Sequence, residues 1–270
     1  MINSVTLPAR IREIMEYFAL NIKSILPVSV KGIYLTGSTA LNDYYSMKSD
    51  IDFIVIIDEI PETDILDNIE QLHFRIEKMF KHPKLNGYYL TIKGIQSGQL
   101  AFPSFYMGKM HNRRRLELNK VVLYELLTSS LRISGLYSDE LTITVDLDDV
   151  FEQLHTNINS YWKKWIEKHS EFPWNLKLAL IPRLTEWGVL GVSRQLYTLQ
   201  TGKITSKLNA GLHYLQHHPE HFQDILRISI SERKINRTKI NLSFSRAQKT
   251  LKCMNHIIRE FNSAYKSSKI

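Results

Sequence analysis

Residues 37–52 read GSTALNDYYSMKSDID, and β-branched and aromatic residues flank this stretch on both sides. The preceding residues 32–35 predict a short strand, and Ile51–Ile57 is a nearly continuous apolar run that is typical of a buried strand. Asp50 and Asp52 therefore stand at the start of a core strand. Residues two apart on a strand face the same side, so these carboxylates can share one or two hard cations.

A glycine and a serine at the end of a strand are suited to phosphate. Glycine lets the backbone approach a triphosphate closely, and the Ser38 hydroxyl and the following amides can donate to phosphate oxygens. Mg²⁺ held by Asp50 and Asp52 would neutralise the same phosphates. The combined pattern favours nucleotidyl transfer, whereas an isolated Asp-Ile-Asp would more often be a solvated strand end.

Composition limits the class of protein. The 270 residues are 43% hydrophobic, which is enough for one large or two ordinary globular domains. The first residues lack the order of a signal peptide and no apolar stretch reaches membrane-spanning length, so we expect a cytoplasmic protein without membrane contact. The single cysteine, Cys253, excludes an internal disulfide and is expected to serve in packing.

The net charge of +8 is concentrated in Arg113–Arg115 and in the stretch from Arg227 to Arg259. These cations predict either a solvated helix face or a contact to a nucleotide or RNA. No basic motif with interleaved aromatics is present, so nucleic acid is not an expected partner. Four histidines lie around Pro219, where a helix is expected to end, and are not expected to bind a metal: His213, His217, His218 and His221.

The pattern along the first half predicts an α/β domain. The predicted elements are a helix over 8–25, a strand from Lys31, the strand Ile51–Ile57, a helix over 63–80, a turn over Pro83–Gly87 and a strand over Tyr88–Ile92.

After Asn119 the pattern changes. It predicts a helix over Val121–Leu131, an extended piece over Ser138–Asp146 and an all-helical region after Leu147. We therefore expect two domains, 1–150 and 151–270. The second contains all four tryptophans, which predict a bundle core or a ligand-stacking wall: Trp162, Trp165, Trp174 and Trp187.

Two motifs carry a resemblance to a known family. Tyr34–Ser38 with Ser49–Val55 resembles the nucleotide and metal motif of the nucleotidyltransferase superfamily. Gly188–Lys207, which reads GVLGVSRQLYTLQTGKITSK, resembles the helical domain of the aminoglycoside adenylyltransferases of the streptomycin and spectinomycin type. The second motif is much narrower than the first and identifies the family.

The resemblance implies a catalytic domain with a mixed sheet, followed by a helical bundle. It implies Asp50 and Asp52 as catalytic residues and Mg²⁺ ligands, with one or two ions and ATP as co-substrate. The nucleotide-binding residues that it implies are Gly37, Ser38, Ser49, Arg194 and Lys207. Alternatively, Arg194 could cap a helix or form an ion pair within the bundle, and Lys207 could be a surface cation.

Characterised members carry a glutamate on the strand after the second helix, where it acts as general base. The corresponding segment here, Gly87–Lys93, contains no carboxylate. Either the base comes from elsewhere, or metals and positioning suffice, or the chain is an inefficient transferase. Glu125 and Glu186 are candidate bases, but both fall in predicted helices, which favours structural salt bridges for them.

The resemblance implies transfer of AMP from ATP to a hydroxyl of a small molecule, an aminoglycoside or aminocyclitol. Leu208–Tyr214 is less acidic than the family's corresponding segment, which leaves two alternatives. One is a protein or RNA acceptor, and the other is a nucleotide-binding protein with little turnover. We expect a monomer.

Overall fold

The structure, a computed structural model, describes residues 7–26, 29–99, 101–217, 222–235 and 239–267, and for residues 112–117 it describes the main chain alone. The chain divides into two compact units, Met1–Val145 and Asp146–Ile270. The first helix of the second unit begins at Leu147, so residue 150, where the sequence predicts the boundary, lies inside that helix.

The first unit is built on one mixed sheet. Its strands are β1 Val30–Thr36, β2 Ile51–Ile57, β3 Leu85–Thr91, β4 Ala101–Tyr106, β5 Lys109–Glu117 and β6 Leu131–Gly135. Its helices are α1 Ala9–Ile25, α2 Gly37–Ala40, α3 Thr63–Phe80, α4 Ile92–Gln96 and α5 Lys120–Ser129. The strand order is β5-β4-β3-β2-β1-β6, in which β2 and β3 run parallel and the other neighbours antiparallel.

Alternation along β2 gives the sheet two apolar faces. Ile51, Phe53 and Val55 lie in a buried cluster with residues of α1 and α3. Ile54 and Ile56 point to the other face, where they share a cluster with residues of α5. Because side chains alternate along a strand, Asp52 lies on the α5 side of the sheet.

The mixed sheet followed by a helical region confirms the predicted fold class, and the helices over 8–25 and 63–80 and the strand Ile51–Ile57 are confirmed. Three other predictions are wrong. The second half of the predicted turn Pro83–Gly87 belongs to β3, the predicted helix Val121–Leu131 ends at Ser129 before β6, and the predicted extended piece contains the 3-10 helix Ser138–Leu141.

The strands β4, β5 and β6 were not predicted at all. β5 reads KMHNRRRLE and lacks the alternation of apolar and polar residues that marks a half-buried strand. β6 reads LRISG, which alternates over only four residues and begins at the last residue of the predicted helix Val121–Leu131. β5 and β6 are the two edges of the sheet. Their main-chain hydrogen bonds come from β4 and β1, partners that no local pattern encodes.

All the secondary structure in the described residues of the second unit is helical, as predicted. Its helices are α6 Leu147–Asn157, α7 Lys163–Ser170, α8 Trp174–Leu180, α9 Pro182–Thr201, α10 Lys207–His217, α11 Gln223–Lys234 and α12 Phe244–Ser267, and a π-helical turn, Ile158–Trp162, separates α6 from α7. α9 packs against α10, α11 and α12. No described helix of the chain combines the length and the hydropathy that crossing a bilayer requires.

Three tryptophan rings pack together where α7, α9 and the π-helical turn meet. The Trp162 and Trp187 rings lie 4.7 Å apart, and Trp165 contacts both. A Cβ atom on Gly191 of α9 would lie 2.5 Å from Trp162, so the indole rests directly on the helix backbone. These contacts favour the bundle-core interpretation of the tryptophans. Cys253 is fully buried, and burial raises the pKa of its thiol.

Several cations of the basic stretch are used inside the second unit. Buried Arg246 donates from Nη2 to the carbonyl oxygens of Ala179 at 2.6 Å and Asn241 at 2.8 Å. Lys249 pairs with Asp224. Both cations therefore have partners within their own unit, which favours a structural role for them. Arg237 and the side chains of Arg113–Arg115 lie outside the described residues.

A histidine is buried under the first unit's sheet. His73 of α3 is fully buried, shares a 2.6 Å hydrogen bond with the Tyr89 hydroxyl through Nε2, and stacks on Phe105 at 4.0 Å. Its Nδ1 has no hydrogen-bond partner within the part of the chain that the structure describes. Burial lowers the pKa of His73 from 6.5 to about 3, so the folded state keeps this ring neutral.

This histidine should make stability depend on pH. As the pH falls below about 6.5, His73 becomes protonated in the unfolded state but stays neutral in the folded state. The free energy of unfolding therefore decreases. Between pH 7 and pH 5 we expect the wild-type protein to lose about 2 kcal/mol more than His73→Phe, which keeps an aromatic ring but cannot titrate. Urea unfolding at both pH values measures the difference, and equal losses would contradict a neutral buried His73.

Candidate functional site

The phosphate loop begins where β1 ends. Gly37 has φ +63°, and it opens the short helix α2. A Cβ atom on Gly37 would lie 2.2 Å from Oδ2 of Asp52 and 3.1 Å from its carboxyl carbon. Only glycine satisfies both the left-handed backbone and this approach. The loop and one of the two predicted metal ligands are therefore in direct contact.

The sheet fixes this approach through pairing. Thr36, the last residue of β1, is the antiparallel partner of Asp52 in β2. Asp52 is half-buried, and Asp50, which comes just before β2, is exposed. The intervening Ile51 is fully buried in the cluster that includes α1 and α3. Asp50 and Asp52 flank Ile51 in sequence, so the alternation of a strand directs both carboxylates to the face opposite Ile51.

Asn86 is a site residue that the sequence analysis missed. It is 8% exposed, and it pairs with Asp52 across the parallel β2 and β3 strands. Its Nδ2 donates to Oδ2 of Asp50 at 3.1 Å, and its Oδ1 accepts from the Met107 amide at 3.0 Å. The prediction placed this residue in a turn. A strand that begins at Leu85 and pairs in parallel with β2 would have placed Asn86 beside Asp52 and so marked it as a candidate site residue.

Glu125 also reaches the phosphate loop. It lies on α5 and is half-buried, and its Oε1 accepts a hydrogen bond of 2.6 Å from the Gly37 amide. A carboxylate acceptor makes this bond stronger than one between neutral groups. The structure therefore brings this candidate base to the loop, with one of its oxygens engaged by the backbone.

The other candidate base, Glu186, lies in the second unit. It is 2% exposed, and its Oε1 lies 3.6 Å from Nη1 of Arg233, which is an ion pair too long for a hydrogen bond. Arg233 is equally buried, so neither charge faces water. An ion pair of this kind makes a structural role the better interpretation of Glu186.

Of the two serines predicted at the nucleotide site, Ser38 is expected to contact phosphate and Ser49 to neighbour the metal site. Ser38 is half-buried in α2 and its carbonyl oxygen accepts from the Asp43 amide at 2.8 Å. Ser49 is 7% exposed, and its Oγ accepts from the Tyr45 amide at 3.1 Å. Ser49 thus ties together the loop that delivers Asp50 to the start of β2.

The nucleotide-binding residues predicted in the second unit lie on two successive helices. Arg194 is exposed on α9. Lys207 is the first residue of α10, is half-buried, and holds its Nζ 6.0 Å from the Trp187 ring centroid. Near the end of α10, the His213 and His217 rings lie 4.3 Å apart, and His218 and His221 fall outside the described residues.

Comparisons with known proteins agree with this architecture. Residues 15–96 match the family described as Nucleotidyltransferase domain, and residues 145–258 match the one described as Aminoglycoside adenylyltransferase, C-terminal domain. The chain is thus a nucleotidyltransferase by its first domain. It belongs to the aminoglycoside adenylyltransferase family, since the second family match follows the first in the same chain.

One solved structure shows how far the likeness in fold extends. The chain is similar to the spectinomycin adenyltransferase AAD(9) from Enterococcus faecialis, whose crystal structure contains ATP and spectinomycin. The identity is 17%, the TM-score is 0.66, and the match covers 93% of this chain and 99% of the other. A comparison with curated proteins found no match.

The contact between Gly37 and Asp52 can be tested with two matched glycines. Gly98 also has a positive φ, +77°, but a Cβ atom added there would have no described atom within 4 Å. Gly37→Ala and Gly98→Ala should each lose about 1–2 kcal/mol of stability from backbone strain. Only Gly37→Ala should lose binding of Mg²⁺-ATP, because its new methyl group displaces the Asp52 carboxylate.

Isothermal titration with Mg²⁺-ATP and thermal unfolding of the two variants measure these effects separately. Equal nucleotide affinity in Gly37→Ala and Gly98→Ala would contradict the role assigned to the contact.

Proposed function

We propose that the protein transfers AMP from ATP to a hydroxyl group of an aminoglycoside or aminocyclitol, with Mg²⁺ bound by Asp50 and Asp52. The observation that carries this proposal is the close approach of Gly37 to the Asp52 carboxylate. Because the phosphate loop and the metal ligand Asp52 are in contact, the loop and a metal ion on Asp52 can bind the same triphosphate. The relative with bound ATP and spectinomycin supports the choice of nucleotide and of acceptor class.

The residues at this site suit Mg²⁺. This ion is commonly held by one or two carboxylates together with substrate phosphate oxygens and water, rather than by a cage of protein ligands. Asp50 and Asp52 supply two carboxylates, and the described residues contain no group of three or more His, Cys, Asp or Glu side chains arranged to hold a metal. When bound, the ion would polarise the α-phosphate and stabilise the charge that develops on pyrophosphate.

Each predicted nucleotide ligand then has a defined task. The Ser38 hydroxyl would donate to a phosphate oxygen, and the backbone of Gly37 would let the triphosphate approach Asp52. Ser49 would keep the Asp50 loop in place through its bond to the Tyr45 amide. Lys207 and Arg194 would neutralise the triphosphate as cations.

One observation favours a second candidate function, a nucleotide-binding protein with little turnover. Beside Asp50 and Asp52, at the position paired with Asp52, the chain places the amide of Asn86. An amide cannot accept the proton of an attacking hydroxyl at neutral pH, so transfer would depend on the metal and on positioning. This candidate predicts tight Mg²⁺-ATP binding without acceptor-dependent release of pyrophosphate.

The role of the two carboxylates can be tested with three Asp→Asn variants. Asp50→Asn and Asp52→Asn should each lower transfer by about 100-fold or more, because each removes a ligand whose metal contributes several kcal/mol to the transition state. Asp58→Asn is the control. It makes the same change just beyond the other end of β2, where Asp58 forms an exposed ion pair with Lys31.

Pyrophosphate release in the presence of ATP, Mg²⁺ and spectinomycin or streptomycin measures the reaction. Full activity of both Asp50→Asn and Asp52→Asn would refute the mechanism. Turnover with RNA or protein in place of the antibiotics would instead identify a different acceptor. Binding of Mg²⁺-ATP without turnover on any acceptor would support the second candidate.

A further inference from the structure

We propose that Asn86 limits the acidic pair to a single divalent cation, because its amide holds Asp50 and occupies the position from which a third carboxylate ligand would face Asp50. Asn86 is thus a positioning residue that acts through Asp50. The inference rests on the proposed function for the identity of the site, but it concerns how many cations the site binds and can be tested without any acceptor.

The first step is the position of residue 86. In the parallel β2 and β3 pair it stands beside Asp52, and its side chain reaches Oδ2 of Asp50 at 3.1 Å. It is 8% exposed, so its amide is fixed by protein contacts rather than by water. A carboxylate at this position would be the third acid of one cluster.

The second step is the orientation of the amide. The Met107 N–H donates to Oδ1, which leaves Nδ2 to face Asp50. Turning the amide over would set its NH₂ group against the Met107 N–H and its oxygen against a carboxylate, so both neighbours exclude the reverse orientation. Oδ1, the Asn86 atom that could bind a cation, therefore bonds to the turn between β4 and β5. The group that faces Asp50 is the NH₂ donor.

The third step is charge. Asp50 and Asp52 together carry two negative charges, which suit one divalent cation bridged to phosphate. The Asn86 amide donates to Asp50 and so occupies one of its carboxylate oxygens without adding a metal ligand. Two-metal sites need further acidic ligands for the second ion, and residue 86 is where the sheet would supply one.

The test uses Asn86→Asp, which can still accept from the Met107 amide while presenting a carboxylate to Asp50. Without cation, like charges in contact should lower the melting temperature by several degrees, and Mn²⁺ or Mg²⁺ should restore it. The matched control is Asn68→Asp, which adds the same charge at an exposed position on α3.

Electron paramagnetic resonance then counts bound Mn²⁺ in the presence of a non-hydrolysable ATP analogue. We expect one ion per chain for the wild-type protein and for Asn68→Asp, and two for Asn86→Asp. Two ions in the wild-type protein, or one in Asn86→Asp together with no stabilisation by Mn²⁺, would overturn the proposal. If no acceptor is ever modified but the ion counts are as expected, the proposed function fails and this inference stands.

A double variant keeps the test valid if Asn86→Asp is too unstable to purify. Asp50→Asn combined with Asn86→Asp exchanges donor and acceptor and restores the original number of charges. Its melting temperature without cation should return towards the wild-type value, and its ion count should be one. A double variant that remains as unstable as Asn86→Asp would show that strain rather than charge causes the loss, and would also overturn the proposal.

Discussion

At the end of β1 the backbone passes so close to Asp52 that a Cβ atom on Gly37 would collide with the carboxylate at 2.2 Å. The rest of the site depends on this approach. It requires the antiparallel pairing of Thr36 with Asp52, and that pairing is held by two central strands whose side chains are buried on both faces of the sheet. A rigid sheet thus fixes the distance between a backbone suited to phosphate and a carboxylate suited to a cation.

Around this contact, polar groups arrive from parts of the chain that are far apart in sequence. Glu125 comes from α5 and binds the Gly37 amide, while Asn86 comes from β3 and joins Asp50 to the Met107 amide. The bonds to Glu125 and to the Asn86 oxygen satisfy the main-chain N–H groups of Gly37 and Met107, which would otherwise have to bond to water. The same groups also determine the chemistry, since one places a carboxylate against the phosphate loop and the other places a neutral donor where a third acid could stand.

The second unit shows that the cations of a basic chain do not all serve a ligand. Arg233 pairs with Glu186 in the interior, and Arg246 binds two carbonyl oxygens of neighbouring segments. These arginines bind groups of their own unit, so the positive net charge by itself says little about a partner. Arg194, exposed on α9, and Lys207, half-buried beside Trp187, are the predicted nucleotide contacts in this unit.

The sequence alone determined the elements with strong periodicity, α1, α3 and β2, and the Gly37-Ser38 and Asp50-Ile51-Asp52 motifs, because local patterns of apolar residues and turn chemistry encode them. It also identified the family through Gly188–Lys207. The tertiary structure alone decided the edge strands β5 and β6, the start of β3, and the partners of Glu125, Glu186 and Asn86. Those features depend on hydrogen bonds and ion pairs between segments that are distant in sequence. A local sequence pattern does not specify which distant residue will lie opposite a given residue in the folded chain.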